Sequence, residues 1–118
     1  MKEQKDNNTQ KRAYLFALNI INRCKKLPSD ITTQIIVKQL IRCATSVGTN
    51  IIEAQASSSR KDFANFFNHA LKSANETKFW LYLLRDTLKD SKVNDLIDEV
   101  NQLSNILGKS LITLRNKY

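Results

Sequence analysis

Residues 39–67 read QLIRCATSVGTNIIEAQASSSRKDFANFF, and this stretch decides the fold. From Ile36, apolar residues recur at Leu40, Cys43, Val47, Ile51 and Ala54. Spacings of three and four place these side chains on one face of an α-helix. Ser57, Ser58 and Ser59 then interrupt the pattern. Ser59-Arg60-Lys61-Asp62 has the form of a capping box with Asp in place of Glu, so a second helix starts at once. The stretch is a helical hairpin. Beside the apolar stripe of its first helix runs a polar one, Gln39, Arg42, Ser46, Asn50 and Glu53. Two readings of that stripe stand. It is a solvated face with intrahelical pairs, or it is a buried or interfacial polar network. The short groups Ser and Asn are middling helix formers, which is the argument for the network.

Outward from the hairpin, the same periodicity predicts four helices, over 8–26, 30–56, 60–88 and 93–115. Residues 1–8 form a polar tail. In the first helix, Tyr14, Ala17, Leu18 and Ile21 read as the core stripe, with Phe16, Ile20 and Leu27 towards the far side. That helix is apolar on more than one face, which a simple surface helix does not need. Lys25 and Lys26 fall in its last turn, where the helix dipole favours cations. Pro28 then breaks the chain and suits the first turn of the next helix, with Ser29 or Asp30 as cap. Gly48 lies inside the second helix, at a cost of about 1 kcal/mol relative to alanine, and reads as a mark of close approach by a neighbouring helix. The third helix carries the longest amphipathic face: Phe63, Phe66, Phe67, Ala70, Ala74, Thr77, Leu81, Leu84 and Leu88. Residues 79–84, FWLYLL, are apolar all round, so this segment is buried on more than one side and Trp80 is expected between subunits. The fourth helix turns Val93, Leu96, Ile97, Val100, Leu103, Leu107, Leu111 and Leu114 inward. Four long amphipathic helices with short connections make an all-α, antiparallel up-down-up-down four-helix bundle.

Composition bounds the rest. At 118 residues with two glycines and one proline, the chain reads as one helical domain rather than a turn-rich β fold. No run of about 18 apolar residues spans a membrane. The polar N-terminus has no signal-peptide core, so a cytoplasmic location follows by default. Cys24, Cys43 and the single histidine, His69, offer no metal-ligand spacing. The cysteines read as small buried hydrophobes. No catalytic, cofactor-binding or metal set emerges, and no Glu-x-x-His pair exists for a bundle di-metal site. The anomaly is charge: 19 Lys and Arg against 11 Asp and Glu, net +8. A basic domain of this size often meets a polyanion, although charge alone names no ligand.

The residues so assembled resemble a known family. QLIRCATSVGTNIIEA, the serine turn, RKDF and then NETKFWLYLL are similar to the four-helix bundle proteins first noticed as products of open reading frames in 23S rRNA intervening sequences. The resemblance spans residues 13–115. It is most specific at Gln39, Arg42, Ser46, Asn50, Glu53 and Ala54, and again at Glu76-Thr77, Trp80-Leu81 and Leu83-Leu84. Cys43-Ala44-Thr45 and Ile52 depart from the usual pattern. The resemblance implies small basic bundles that assemble into rings, commonly pentamers. It also implies a relation to the accessory protein of diversity-generating retroelements, which binds nucleic acid and a reverse transcriptase. It supplies no catalytic residues. The shared polar positions Arg42, Ser46, Asn50, Glu53 and Glu76 then read as assembly or network residues, together with Gln39, His69, Phe79, Trp80 and Leu83. Three functions compete. The first is a homo-oligomer whose basic surface contacts RNA or DNA, with candidates Lys11, Arg12, Arg23, Lys25, Lys26, Arg60, Lys61, Lys72, Lys78, Arg85, Lys89, Lys92 and Lys109. The second is a scaffold subunit docking an acidic protein. The third, an enzyme, has no constellation to support it.

Overall fold

The computed structural model describes residues 2–117, with the surroundings of side chains 8–116. It contains four helices: α1 (Lys2–Cys24), α2 (Ile31–Ala56), α3 (Arg60–Leu88) and α4 (Val93–Lys117). The reading of residues 1–8 as a tail falls almost wholly on residues outside those with described side chains. The helix nevertheless starts at Lys2, ahead of the expected Asn8. At its other end α1 stops at Cys24, before Lys25 and Lys26. There the Lys26 N–H bonds Arg23 O at 3.1 Å and the Leu27 N–H bonds Cys24 O at 3.2 Å. These are tightened three-residue turns, of the kind that close a helix ahead of a proline. Lys25 and Lys26 therefore belong to the connection and not to the last helical turn.

The caps explain why the other helices start where they do. Asp30 accepts from the Thr33 N–H at 3.2 Å, satisfying one of the orphan donors of α2. Ser59 does the same for the Asp62 N–H of α3 at 3.1 Å. α3 ends on Lys89 in the left-handed region, φ 53°, with the Asp90 N–H returning to Arg85 O at 3.1 Å.

Each helix packs on its neighbours in sequence, and α1 closes the ring of four against α4. The α2–α3 contact is the most extensive and α1–α4 the least. The bundle is about 48 Å long and 20 Å across. Its core holds the expected stripes of three helices. Ile36, Leu40, Cys43, Val47, Ile51 and Ala54 of α2 are buried, as are Phe67, Ala70, Ala74, Thr77, Leu81 and Leu84 of α3. Val93, Ile97, Val100, Leu103, Leu107 and Leu111 complete it from α4.

Helix α1 differs from the sequence reading. Its core residues are Ala13, Phe16, Ile20 and Cys24. The expected stripe, Tyr14, Ala17, Leu18 and Ile21, lies on the flank towards α2, and Tyr14 is 66% exposed. Both faces have helical apolar spacing, so periodicity could not choose between them. Packing volume does: Phe16 fills the centre of the bundle, and Tyr14 keeps its hydroxyl in water. Gly48 does face a neighbouring helix: a Cβ built there would meet the Ala13 Cβ of α1 at 3.8 Å and its backbone at 4.0 Å. These are ordinary contacts, so the approach would also admit an alanine.

Candidate functional site

Three surfaces carry the residues singled out from the sequence. The first is the outer seam between α2 and α3. Arg42 donates to Glu76 across the seam, and its Nε donates to Gln39 Oε1 at 3.1 Å. Trp80 Nε1 reaches the same Glu76 carboxylate at 3.4 Å, and the Trp80 ring meets Phe79 edge-on at 5.1 Å. Ser46 and Asn50 turn back on their own helix: Ser46 Oγ bonds Arg42 O at 2.9 Å, and Asn50 Nδ2 bonds Ser46 O at 2.8 Å. Glu53 and His69 are exposed. Within the chain the polar stripe is thus intrahelical bonding plus one ion pair between helices. Trp80 is half-buried against the core, whereas its neighbour Phe79 is 61% exposed.

The second surface is basic. The structure removes three of the candidate cations from a free role. Arg12 makes a forked contact with Glu99 at 2.8 and 3.1 Å and donates to Gln102 at 2.9 Å; the Glu99 hydrogen bond holds its pKa above the ordinary value. Arg23 donates to Asp90 at 2.6 and 3.0 Å. Arg85 contacts Asp86 and Asn94 and lies 4.9 Å over the Tyr82 ring. The Arg23–Asp90 pair joins the last turn of α1 to the α3–α4 connection. It brings Lys25, Lys26, Lys89 and Lys92 to one end of the bundle, all exposed. Arg60 and Lys61 sit at the opposite end, beside Arg115. Lys11 borders α1 and α2, Lys72 and Lys78 lie along α3, and Lys109 lies on α4. The thirteen candidates therefore do not form one patch, and the four lysines at the paired connections are the densest group.

The third surface was not among the sequence-based candidates. A cleft of about 660 Å³ runs between α1 and α2, walled by Tyr14, Leu18, Ile21 and Ile52 and floored by Ala17 and Gly48. The two-faced apolarity of α1 was the signal for it. Assigning the Tyr14 face to the core concealed it.

Chemistry within the chain is sparse. Among the described residues, no three His, Cys, Asp or Glu side chains are placed to hold a metal ion. Burial pushes the Cys24 thiol up to about 11 and also raises Cys43, so both stay protonated near neutrality. No helix among the described residues is long and apolar enough to cross a membrane.

Comparison with known proteins agrees with this architecture. A crystal structure of a protein of unknown function from the S23 ribosomal protein family of Bacteroides thetaiotaomicron is 35% identical. The match covers 91% of this chain and 97% of that one, with a TM-score of 0.84. No curated protein matches the chain. The family model described as 23S rRNA-intervening sequence protein matches residues 5–109. With nearly the whole bundle inside that match, the chain belongs to the 23S rRNA-intervening sequence protein family.

Proposed function

We propose that this chain is a non-enzymatic, self-associating basic bundle, ring-like in assembly, that binds nucleic acid through the end carrying Lys25, Lys26, Lys89 and Lys92. The observation that carries the reading is the arrangement of that end. On residues 23–30 and 89–92 five cations face two carboxylates. Both carboxylates are committed, Asp30 to the α2 cap and Asp90 to Arg23 and the Lys92 N–H. The four lysines make no ion pair among the described residues. Such a cluster takes its affinity from phosphate contacts and counterion release. Repeating it around an assembly multiplies weak contacts through effective concentration.

The test is a titration of a fluorescent structured RNA and a duplex DNA of equal length, over a range of salt. Affinity should fall steeply with salt. Replacing the four lysines by glutamine should reduce the slope of log affinity against log salt by about 3. A flat salt dependence contradicts the reading. A scaffold that docks an acidic protein is the second reading, favoured by the apolar surface left open on α1 and α3. Recovery of one stoichiometric protein, unaffected by nuclease, would select it.

A further inference from the structure

We propose that Asp90, although acidic, is the positioning residue of the basic end: its ion pair with Arg23 holds two pairs of lysines from distant parts of the chain on one phosphate-binding surface. The inference rests on the nucleic-acid reading above and assigns how that site is held together. It starts from the local chain. Lys25 and Lys26 leave α1 on turns in which their N–H groups donate to Ile21 O at 3.0 Å and Arg23 O at 3.1 Å. Both lysines are therefore placed by the turn that carries Arg23. On the other side, Lys89 and Lys92 flank Asp90. The Asp90 N–H donates to Arg85 O at 3.1 Å, its carbonyl accepts from the Val93 N–H at 3.2 Å, and its Oδ1 accepts from the Lys92 N–H at 3.1 Å. Asp90 thus fixes the turn that carries the second pair of lysines.

The two turns meet through side chains. Asp90 Oδ2 accepts from Arg23 Nε at 3.0 Å and from Arg23 Nη2 at 2.6 Å. The Arg23 and Asp90 side chains are 22% and 11% exposed, so the pair is largely withdrawn from water. Removing one partner of such a pair leaves the other charge poorly solvated, which is costly. No other ion pair among the described residues joins these two turns. Each carboxylate oxygen has its own role: Oδ1 orders the α3–α4 connection, and Oδ2 holds the end of α1.

Lys89 points the same way by a different route. It is the one non-glycine residue at positive φ, 53°, among the described residues. It stands just past α3, where glycine takes the left-handed conformation without strain. A glycine would end the helix more comfortably, whereas the lysine keeps a cation beside Asp90.

The bridge predicts a result opposite in sign to charge counting. Asp90→Asn removes a carboxylate and frees Arg23, so charge alone predicts tighter binding to a polyanion. Asn keeps one oxygen for the Lys92 N–H, as in an Asx turn. Its NH2 then faces the guanidinium, donor against donor. The guanidinium moves out to water and carries the Lys25–Lys26 turn away from Lys89 and Lys92. Two weak half-sites replace one cluster.

The experiment titrates a fluorescent structured RNA with the full chain over a range of salt, with circular dichroism reporting helix content at the binding temperature. Asp90→Asn should bind about 10-fold more weakly at ~0.1 M salt, and its slope of log affinity against log salt should be shallower by about 2, the share of two lysines. Asp90→Ser keeps a turn acceptor and admits water beside Arg23; it should act the same way, and it replaces the Asn variant if that one unfolds. The control is Asp86→Asn, which also takes a carboxylate from an arginine, Arg85, but breaks no link between the two turns. It should bind at least as tightly as wild type. Lys89→Gly should raise Tm while lowering the slope by about 1, which separates binding from stability. A folded Asp90 variant that binds as tightly as wild type overturns the positioning role and leaves nucleic-acid binding standing. Equal weakening by Asp86→Asn overturns it too. A wild type whose affinity is flat with salt overturns the nucleic-acid reading itself.

Discussion

Helices α2 and α3 form the most extensive contact in the bundle, and α1 rests on its neighbours by a narrower strip. The hairpin has one apolar face per helix over most of its length, with both faces spent on the core. Helix α1 has two. One, Phe16 and Ile20, is buried in the chain, and the other, Tyr14 and Leu18, is open. The contrast teaches that a surplus apolar face on a short chain signals a second packing partner, and that the surplus is found by asking which face the monomer leaves uncovered.

The largest expected effect tests which face of α1 is structural. Phe16→Ala should lose about 3–5 kcal/mol of folding stability, through lost burial and the cavity left behind. Tyr14→Ala should change monomer stability by less than about 1 kcal/mol. Urea denaturation under dilute conditions measures both, and similar losses for the two would erase the distinction drawn here. The next effect concerns the two buried thiols, one on each region. Cys24 lies at the end of α1 and Cys43 inside the hairpin. Local opening should free α1 first, so native-state alkylation should label Cys24 faster than Cys43. The folded Cys24 pKa, about 11, lies above its ordinary value of 9.0, so the folded state holds the proton more tightly. That stabilisation is complete below pH 9 and is lost as pH rises towards 11. Cys24→Ala should therefore show a smaller alkaline loss of stability than wild type. The smallest effect falls on the hairpin seam. The Arg42–Glu76 pair has half-exposed side chains, and Arg42→Gln should cost no more than about 0.5 kcal/mol. A loss several times larger would mean that the seam is tied together by its polar residues and not by its core.

Much of this was legible in the sequence. Ser59 announced the start of α3, and the inward positions of α2, α3 and α4 followed from spacing because each has one dominant stripe. The open surfaces were harder. Residues 79–84 carry more apolarity than one face needs, but within the chain Phe79, Tyr82 and Leu83 are exposed rather than buried on a second side, and the spacing could not say that Trp80 folds back on Glu76 while Phe79 stays out. Lys25 and Lys26 are separated from Lys89 and Lys92 by more than sixty residues in the chain. Only the antiparallel topology and the Arg23–Asp90 pair bring them to one end. Gly48 could be read as a contact mark, but whether the contact lies within the chain depends on a distance that no sequence contains.

The native mass of the wild-type chain by light scattering, with and without a short structured RNA, at low and at high salt, tests assembly and nucleic-acid binding together. The wild-type chain should form a defined assembly larger than a monomer at both salts, one that gains RNA mass at low salt and sheds it at high salt. A monomer under all conditions would contradict the assembly. An assembly indifferent to RNA at low salt would contradict the nucleic-acid role of its basic end.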